Sequence, residues 1–401
     1  MARIIEGPSN WRGPDLVKST EWIHDWSPAE IAEIEQAFAT ARSRGKTLET
    51  LERDDFPLPT VARCFEMARN QLEKGCGLQL FRGFPYARYS KDDLRLIYWG
   101  MGKHIGTARS QSRVGDLLGD VKDFGVQTDS AAGRGYQSNQ RLSFHTDTCD
   151  VTGLFVLHVA KSGGLSKLAS SVAVRNEIAR RRPDLLEVLY QPFTWSWNRQ
   201  EGPDQKPYYQ QPVFSECDGH FCCRFVELQI KNAQAFPEVP RFTPAQIEAQ
   251  ALVSELTNSE EFNFSMMFQP GDLQLVNNHI CFHSRTAFED WPEEDRKRHL
   301  LRMWLSMPNS RPLSPQMATI YQDQRAGAVR GGFPSRTGKH VFNTYVMTDE
   351  GPEKLSQPQH CAHSFCARQE IARRNIWANA AGGRYYQKNS RRHRKGRKHY
   401  V

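Results

Sequence analysis

The sequence predicts a mainly β fold, an antiparallel sandwich or barrel accompanied by helices. Three observations lead there. From about Arg141 the chain breaks into short apolar runs separated by turn residues, only two helical patterns interrupt those runs, and the other clear helical periodicity lies ahead of them. A doubly wound sheet would instead alternate a helix with each strand.

The leading elements are helical. In SPAEIAEIEQAFATARSRG, Ser27 is an N-cap, Pro28 takes the first helical position, Glu30 closes a capping box and Gly45 is a stop. A second helix is expected from about Pro59 to Lys74, ending at Gly75. CGLQLFRGF then reads as a buried strand, and Ser90 caps a helix through KDDLRLIYWGMGKHIG. The strands beyond Arg141 are RLSFHTD, GLFVLHVA, SKLASS, YYQQPVF, HFCCRFVEL, FNFSMMF, DLQLVNN and HLLRMWLSM. The helices among them are SVAVRNEIARRR, which ends before Pro183, and TPAQIEAQALVSELT, capped by Thr243. From about Asn309 the chain is rich in Pro, Gly, Ser and Gln, later turns basic, and reads as an irregular extension.

Composition excludes several classes. With 39% hydrophobic and 11% aromatic residues the chain can build a core. No apolar run approaches the roughly 18 residues that span a bilayer, and MARIIEGPSNWRGPDL lacks the charged and apolar regions of a secretory signal. Nine scattered cysteines, with Cys222 beside Cys223, do not form a disulfide framework. A soluble protein of the reducing cytoplasm is expected, with no membrane partner. The net charge of +8 is local: RRHRKGRK near the C-terminus holds six Arg and Lys, and the rest of the chain carries +2. That tail is expected to be disordered and solvated, with a nuclear address as the alternative, and nucleic acid is not the expected partner even with Tyr385 and Tyr386 close to it.

The chemistry concentrates in two stretches. In RLSFHTDTCD, His145 and Asp147 stand two apart, so on a strand they present an imidazole and a carboxylate on one face. Alone, such a pair is more often structural. A second stretch, PGDLQLVNNHICFHSRTAFED followed by RKRHLLRMWL, supplies His283, with Arg285 two positions on, and then Arg298 and Arg302. Two histidines and one carboxylate on one face of a metal, with the opposite positions open, suit non-haem Fe(II) that must also bind a co-substrate and dioxygen. A closed thiolate site would favour zinc instead. An arginine near the end of a buried strand offers a planar fork to a carboxylate.

The ordered set His145-x-Asp147, SGGLS, PGD, NNHICFHSRTAFED and RHLLRMWL resembles the taurine/2,4-dichlorophenoxyacetate dioxygenase (TauD/TfdA) family of Fe(II)- and 2-oxoglutarate-dependent oxygenases. The resemblance covers roughly Leu51 to Pro312 and is dense between His145 and Trp304. It implies a double-stranded β-helix, the jelly-roll core of clavaminate synthase-like and cupin-type proteins, with helices outside. It also implies Fe(II), 2-oxoglutarate and O2, with His145, Asp147 and His283 as catalytic metal ligands. Ser166 and Arg298 would hold the distal carboxylate of 2-oxoglutarate, and Arg302 would face the substrate. The organisation that follows is an N-terminal helical extension over residues 1–50, the dioxygenase domain over 51–312, and a C-terminal extension with the basic tail over 313–401.

Two positions depart from the family pattern. The common GGDT is GGLS here, which keeps the hydroxyl and loses the acid. Many members carry Asn four residues before the first ligand, where this chain has Arg141; it either adds a second cation toward the substrate or pairs with a structural acid such as Asp290. Asp147 is retained, whereas related halogenases replace this carboxylate to admit chloride, so halogenation is not expected. The reaction implied is oxidation, chiefly hydroxylation, of an unactivated C–H bond in a small anionic organic substrate, with release of succinate and CO2. Family members are often dimers or tetramers, so a homo-oligomer is compatible. An oxygenase of protein or nucleic acid, and a non-catalytic jelly-roll binding protein, are the other classes. The second is disfavoured by the presence of all three ligands with Arg298. His279 competes with His283 for the distal ligand position, but the Ser-Arg-Thr that follows favours His283. Asn277 and Asn278 read as caps of the bend that support the metal site. His360, Cys361, His363 and Cys366 lack a second paired knuckle and read as incidental rather than zinc-binding.

Overall fold

A computed structural model describes residues 3–125, 135–342, 345–348 and 351–354. The chain divides at Leu355, and everything described belongs to the unit Met1–Leu355. The His360–Cys366 cluster, Tyr385, Tyr386 and the basic tail lie outside the described residues.

Eight strands carry the architecture: β1 (Leu78–Arg82), β2 (Leu142–His145), β3 (Val151–His158), β4 (Ser166–Ser170), β5 (Asn263–Met266), β6 (Leu273–Asn277), β7 (Cys281–Arg285) and β8 (His299–Ser306). The larger sheet runs Ile23–Asp25, β1, β6, β3, β8, Thr107–Arg109, with Gly119–Val121 also paired to β8. The smaller runs β5, β4, β7, β2. Pairing is antiparallel apart from Ile23–Asp25 on β1. The two sheets make the expected jelly-roll core.

Period-two alternation explains how the large sheet serves two layers. From β8, Leu301, Met303 and Leu305 join a buried cluster with the helices α1 (Pro28–Ser43), α2 (Val61–Lys74) and α3 (Lys91–Ile105), through Ile34, Phe65 and Tyr98. Leu300 and Trp304, on the other face, join Phe144, Leu168 and Phe282 of the small sheet. Arg302 shares that inner face. Strands of this kind must satisfy a helical layer on one side and a functional interior on the other.

The N-caps expected at Ser27, Ser90 and Thr243 all form, and at Ser90 and Thr243, as at Ser27, the third helical residue completes a capping box. HFCCRFVEL, however, is a strand only over His220–Cys223, and Glu227–Ala233 is a helix. The hairpin register ends at Cys223, and Glu227 and Lys231 form an i,i+4 ion pair that favours the helix. Strand β7 is an element that the sequence pattern did not reveal. After β8, the segment through residue 342 holds only the short helical turns Pro315–Met317 and Ala318–Tyr321. Among the described residues no helix is long and apolar enough to cross a membrane.

The start of β8 is fixed electrostatically. Asp120 accepts hydrogen bonds from His299 Nε2 at 2.9 Å and from Arg95 of α3. Burial alone would raise the Asp120 pKa, but the His299 hydrogen bond and the Arg95 guanidinium hold it below the usual carboxylate value. A carboxylate depressed in this way stabilises the fold above its unfolded pKa, and that contribution is lost as pH falls through the folded one. Between about pH 6 and pH 3, urea unfolding of Asp120→Asn should therefore show a smaller loss of stability than the wild type.

Candidate active site

His145 ends β2 and stands directly opposite His283 on β7, with ring centroids 4.3 Å apart. Asp147 follows in the turn toward β3. His145 Nε2 lies 4.0 Å from Asp147 Oδ1, and His283 Nε2 lies 3.6 Å from Asp147 Oδ2. One ligand atom from each of the three residues falls within 4.8 Å of the others, and all three are buried or half-buried. His279, the competing histidine, does not reach this cluster.

Local structure prepares each donor. The ladder between β2 and β7 shifts register between His283 and Arg285, so β2 carries an extra residue there. Beside it, the Ser143 carbonyl accepts a hydrogen bond from His145 Nδ1 at 2.8 Å. A carbonyl only accepts, so Nδ1 carries the proton and Nε2 keeps its lone pair for a metal. Burial, with the His283 ring beside it, pushes the His145 pKa down to about 4, which keeps the ring neutral at physiological pH. Asp147 Oδ2 accepts from Thr152 Oγ1 at 2.8 Å and from Trp304 Nε1 at 2.9 Å. Burial alone would raise the Asp147 pKa, yet Arg302 and His283 hold it well below the ordinary value. With Oδ2 occupied, Oδ1 is the oxygen left for a cation. Two imidazoles and one carboxylate form a donor set that fits Fe(II).

A second layer holds the turn. Asn278 Oδ1 accepts the Asp147 amide at 2.8 Å, and its Nδ2 donates to Thr152 Oγ1 at 3.0 Å. Asn277 Oδ1 accepts the His279 amide at 2.8 Å, capping the bend. Arg224, almost fully buried, donates to the Thr146 carbonyl and to Thr148 Oγ1, both at 3.0 Å, so it grips the turn on either side of Asp147. Asp150 Oδ1 accepts from His279 Nε2 and Arg330 Nε, each at 2.8 Å, and Oδ2 accepts the Met307 amide at 2.9 Å. Thr152, Trp304, Arg224 and Arg330 were not marked as site residues by the sequence. Their only signal there was proximity to the two motif stretches, and Arg224 and Arg330 lacked even that.

Across the cavity, the paired glycines of SGGLS have a local reason. Gly163 and Gly164 both have φ of +70°, and a Cβ on Gly164 would lie 3.2 Å from Arg298 Nε. The Arg298 guanidinium is buried, its Nη1 has no partner among the described residues, and its backbone N–H donates to Asp290 Oδ1 at 2.8 Å. Burial and the neighbouring Arg285 push Arg298 down to about 9. Ser166 Oγ donates to Gln274 Oε1 at 3.3 Å on the same side. Arg302 Nε donates to Gln111 Oε1 at 2.6 Å, its guanidinium lies 4.1 Å above the Tyr136 ring, and Nη1 is 3.9 Å from Asp147 Oδ2. Arg141 lies at the exposed rim and bonds Asn258, so the pairing with Asp290 does not form. A cavity of about 540 Å³ joins these groups, with Trp197, Trp304 and Phe333 as an aromatic wall. Phe333 comes from the segment after β8, seated by hydrogen bonds from Gly332 N to the Thr148 carbonyl at 2.7 Å and from Phe333 N to the Ser110 carbonyl at 2.9 Å.

A jelly roll that brings two histidines and a carboxylate to the edge of an arginine-lined cavity defines a class, the 2-oxoglutarate-dependent non-haem iron dioxygenases. The comparisons with known proteins agree. Residues 44–304 match the taurine catabolism dioxygenase TauD, TfdA family, and the chain belongs to that family. It is accordingly an oxidoreductase that uses Fe(II), 2-oxoglutarate and O2. FR-33289 synthase of Streptomyces rubellomurinus (strain ATCC 31215) is 29% identical over 334 residues, which are 82% of this chain and 98% of that protein. Taurine hydroxylase-like protein SAT17 of Stachybotrys chartarum (strain CBS 109288 / IBT 7711) is 26% identical over 303 residues, 73% of this chain and 77% of that protein. Among solved structures, asparagine oxygenase with Fe(II), 2S,3S-3-hydroxyasparagine and succinate shares the fold with a TM-score of 0.56 at 15% identity, covering 71% of this chain and 94% of that one. The non-haem iron oxygenase OrfP with Fe and alpha-ketoglutaric acid gives 0.53 at 13% identity, covering 71% and 94%.

The Asp150 cluster ties the segment after β8 to the turn bearing Asp147 through a buried ion pair. Removing one partner of such a pair leaves an uncompensated buried charge. Arg330→Met should lower stability to urea unfolding by about 3–5 kcal/mol.

Proposed function

We propose that His145, Asp147 and His283 ligate the catalytic Fe(II), that Ser166 and Arg298 hold the distal carboxylate of 2-oxoglutarate, and that the protein hydroxylates an unactivated C–H bond of a small anionic organic molecule, releasing succinate and CO2. The observation that carries this reading is the convergence, on one cavity, of the three-residue donor set with a buried Arg298 whose Nη1 has no partner. In this reading the segment 51–312 is the catalytic domain. Residues 1–50 and 313–401 flank it, and Phe333 of the latter reaches the cavity.

Bound iron with 2-oxoglutarate supplies the O2-derived oxidant that breaks the C–H bond. The protein's own part is placement. His145 offers Nε2 because Ser143 fixes its tautomer, and Asp147 offers Oδ1 because Trp304 and Thr152 occupy Oδ2. Trp197, Trp304 and Phe333 exclude water beside the donor set. Arg302, with Arg141 at the rim, gives the substrate side a positive field, which supports an anionic substrate. The names of the relatives, a taurine hydroxylase-like protein and oxygenases seen with hydroxyasparagine or hydroxyarginine, support a small molecule as substrate.

The test is anaerobic titration of the apo protein with Fe(II) and 2-oxoglutarate, following the weak charge-transfer band near roughly 500–530 nm that an iron–2-oxoglutarate chelate gives. The wild type should form the band and His145→Ala should not. Arg298→Ala should need about 10- to 100-fold more 2-oxoglutarate, as expected for losing a hydrogen bond to a charged group. No band in the wild type would overturn the assignment. Once the band has formed, small carboxylates, sulfonates and phosphonates are screened by succinate release, and a substrate with no anionic group would refute that part of the reading.

A further inference from the structure

Arg285 follows His283 by two residues on β7, so the two side chains leave the same face of the strand. It stands directly opposite Ser166 on β4. Its guanidinium is buried, and Nη2 donates to the main-chain carbonyls of Ser138, at 2.8 Å, and Gln140. Among the described residues, Nε and Nη1 are buried without partners, as is Nη1 of Arg298. Both guanidiniums rest on Phe288, their central carbons 4.6 and 5.2 Å from its ring centroid.

Two buried cations beside one ring, with three unspent donor nitrogens between them, repel each other and lack an anion. The nearby carboxylates do not fill that role: Asp123, whose charge also acts on Arg285, accepts the Gly125 amide, and Asp290 gives Oδ1 to the Arg298 backbone N–H while its Oδ2 has no partner among the described residues. What would satisfy the whole group is an ionised carboxylate, whose two oxygens accept about four hydrogen bonds. The cavity that holds the donor set also reaches Arg285, Arg298 and Ser166.

We infer that Arg285 is a further co-substrate-binding residue, forming with Arg298 and Ser166 a two-guanidinium cradle for the distal carboxylate of 2-oxoglutarate. The inference rests on the iron and 2-oxoglutarate reading of the site. It adds a role for the arginine two places after the second histidine. Because Nη2 of Arg285 holds Ser138 and Gln140, the same side chain anchors the approach to β2, so a loss of affinity must be separated from a loss of structure.

The separation comes from comparing two ligands in one protein. Anaerobic Fe(II) protein is titrated with 2-oxoglutarate and with 2-oxopentanoate, which has the same chain and keto acid but no distal carboxylate, each followed by the charge-transfer band. In Arg285→Met the Kd for 2-oxoglutarate should rise by about 10- to 100-fold while that for 2-oxopentanoate stays within about 3-fold of wild type. Arg285→Lys, which keeps a cation without the fork, should fall between them. Equal weakening of both ligands would overturn the inference in favour of a structural role, and so would an unchanged 2-oxoglutarate Kd. A wild type that forms no band with either ligand would overturn the underlying site reading, and this inference with it.

Discussion

The register of β2 against β7 is the constraint on which the site depends. Residues directly opposite on antiparallel strands stand close enough for one small ion to touch both. His145 and His283 occupy such a pair. A slip of one residue would turn His145 toward the core and bring Phe144 to the cavity. Ser284 Oγ, donating to the Leu142 carbonyl at 2.7 Å, pins the register beyond the bulge, and β4 on the other side of β7 holds Arg285 opposite Ser166. The histidine pair and the Arg285–Ser166 pair therefore share one strand as their common reference.

The interior is unusual in its charge. Arg285, Arg298 and Arg302 all lie buried on its walls, against Asp147 as the central carboxylate. Cations in such a place are costly unless anions join them. The protein moderates the cost with aromatic faces: Phe288 under Arg285 and Arg298, Tyr136 and Trp304 under Arg302. Among the three arginines, it is Arg302 that, with His283, holds the buried Asp147 well below the usual carboxylate range.

Much of this was legible in the sequence because it is written in local chemistry. His-x-Asp, the paired glycines and the spacing of Arg298 and Arg302 are short-range patterns, and the helix starts at Ser27, Ser90 and Thr243 carry their own capping residues. Strand β7 escaped because His283 and Arg285 face the cavity, so the usual apolar alternation is replaced there by polar functional groups. The helix at Glu227–Ala233 was hidden by β-branched and aromatic residues running on from a genuine strand. Arg224 and Arg330 could not be found by pattern at all. The partners that tie them to the turn around Asp147 lie 76 or more residues away, and no motif near either arginine marks the contact.

The link between Asp150 and Arg330 spans 180 residues of chain, and the seat of Gly332 on Thr148 spans a similar length. Contacts of such sequence separation close late in folding, since the loop entropy must be met before they contribute. On the ribosome the turn bearing Asp147 emerges long before the residues that brace it. The histidines are likewise split between an early strand and a late one. On the iron-site reading proposed above, a polypeptide stalled before Arg330 would carry His145, Asp147 and His283 without the frame that aligns them.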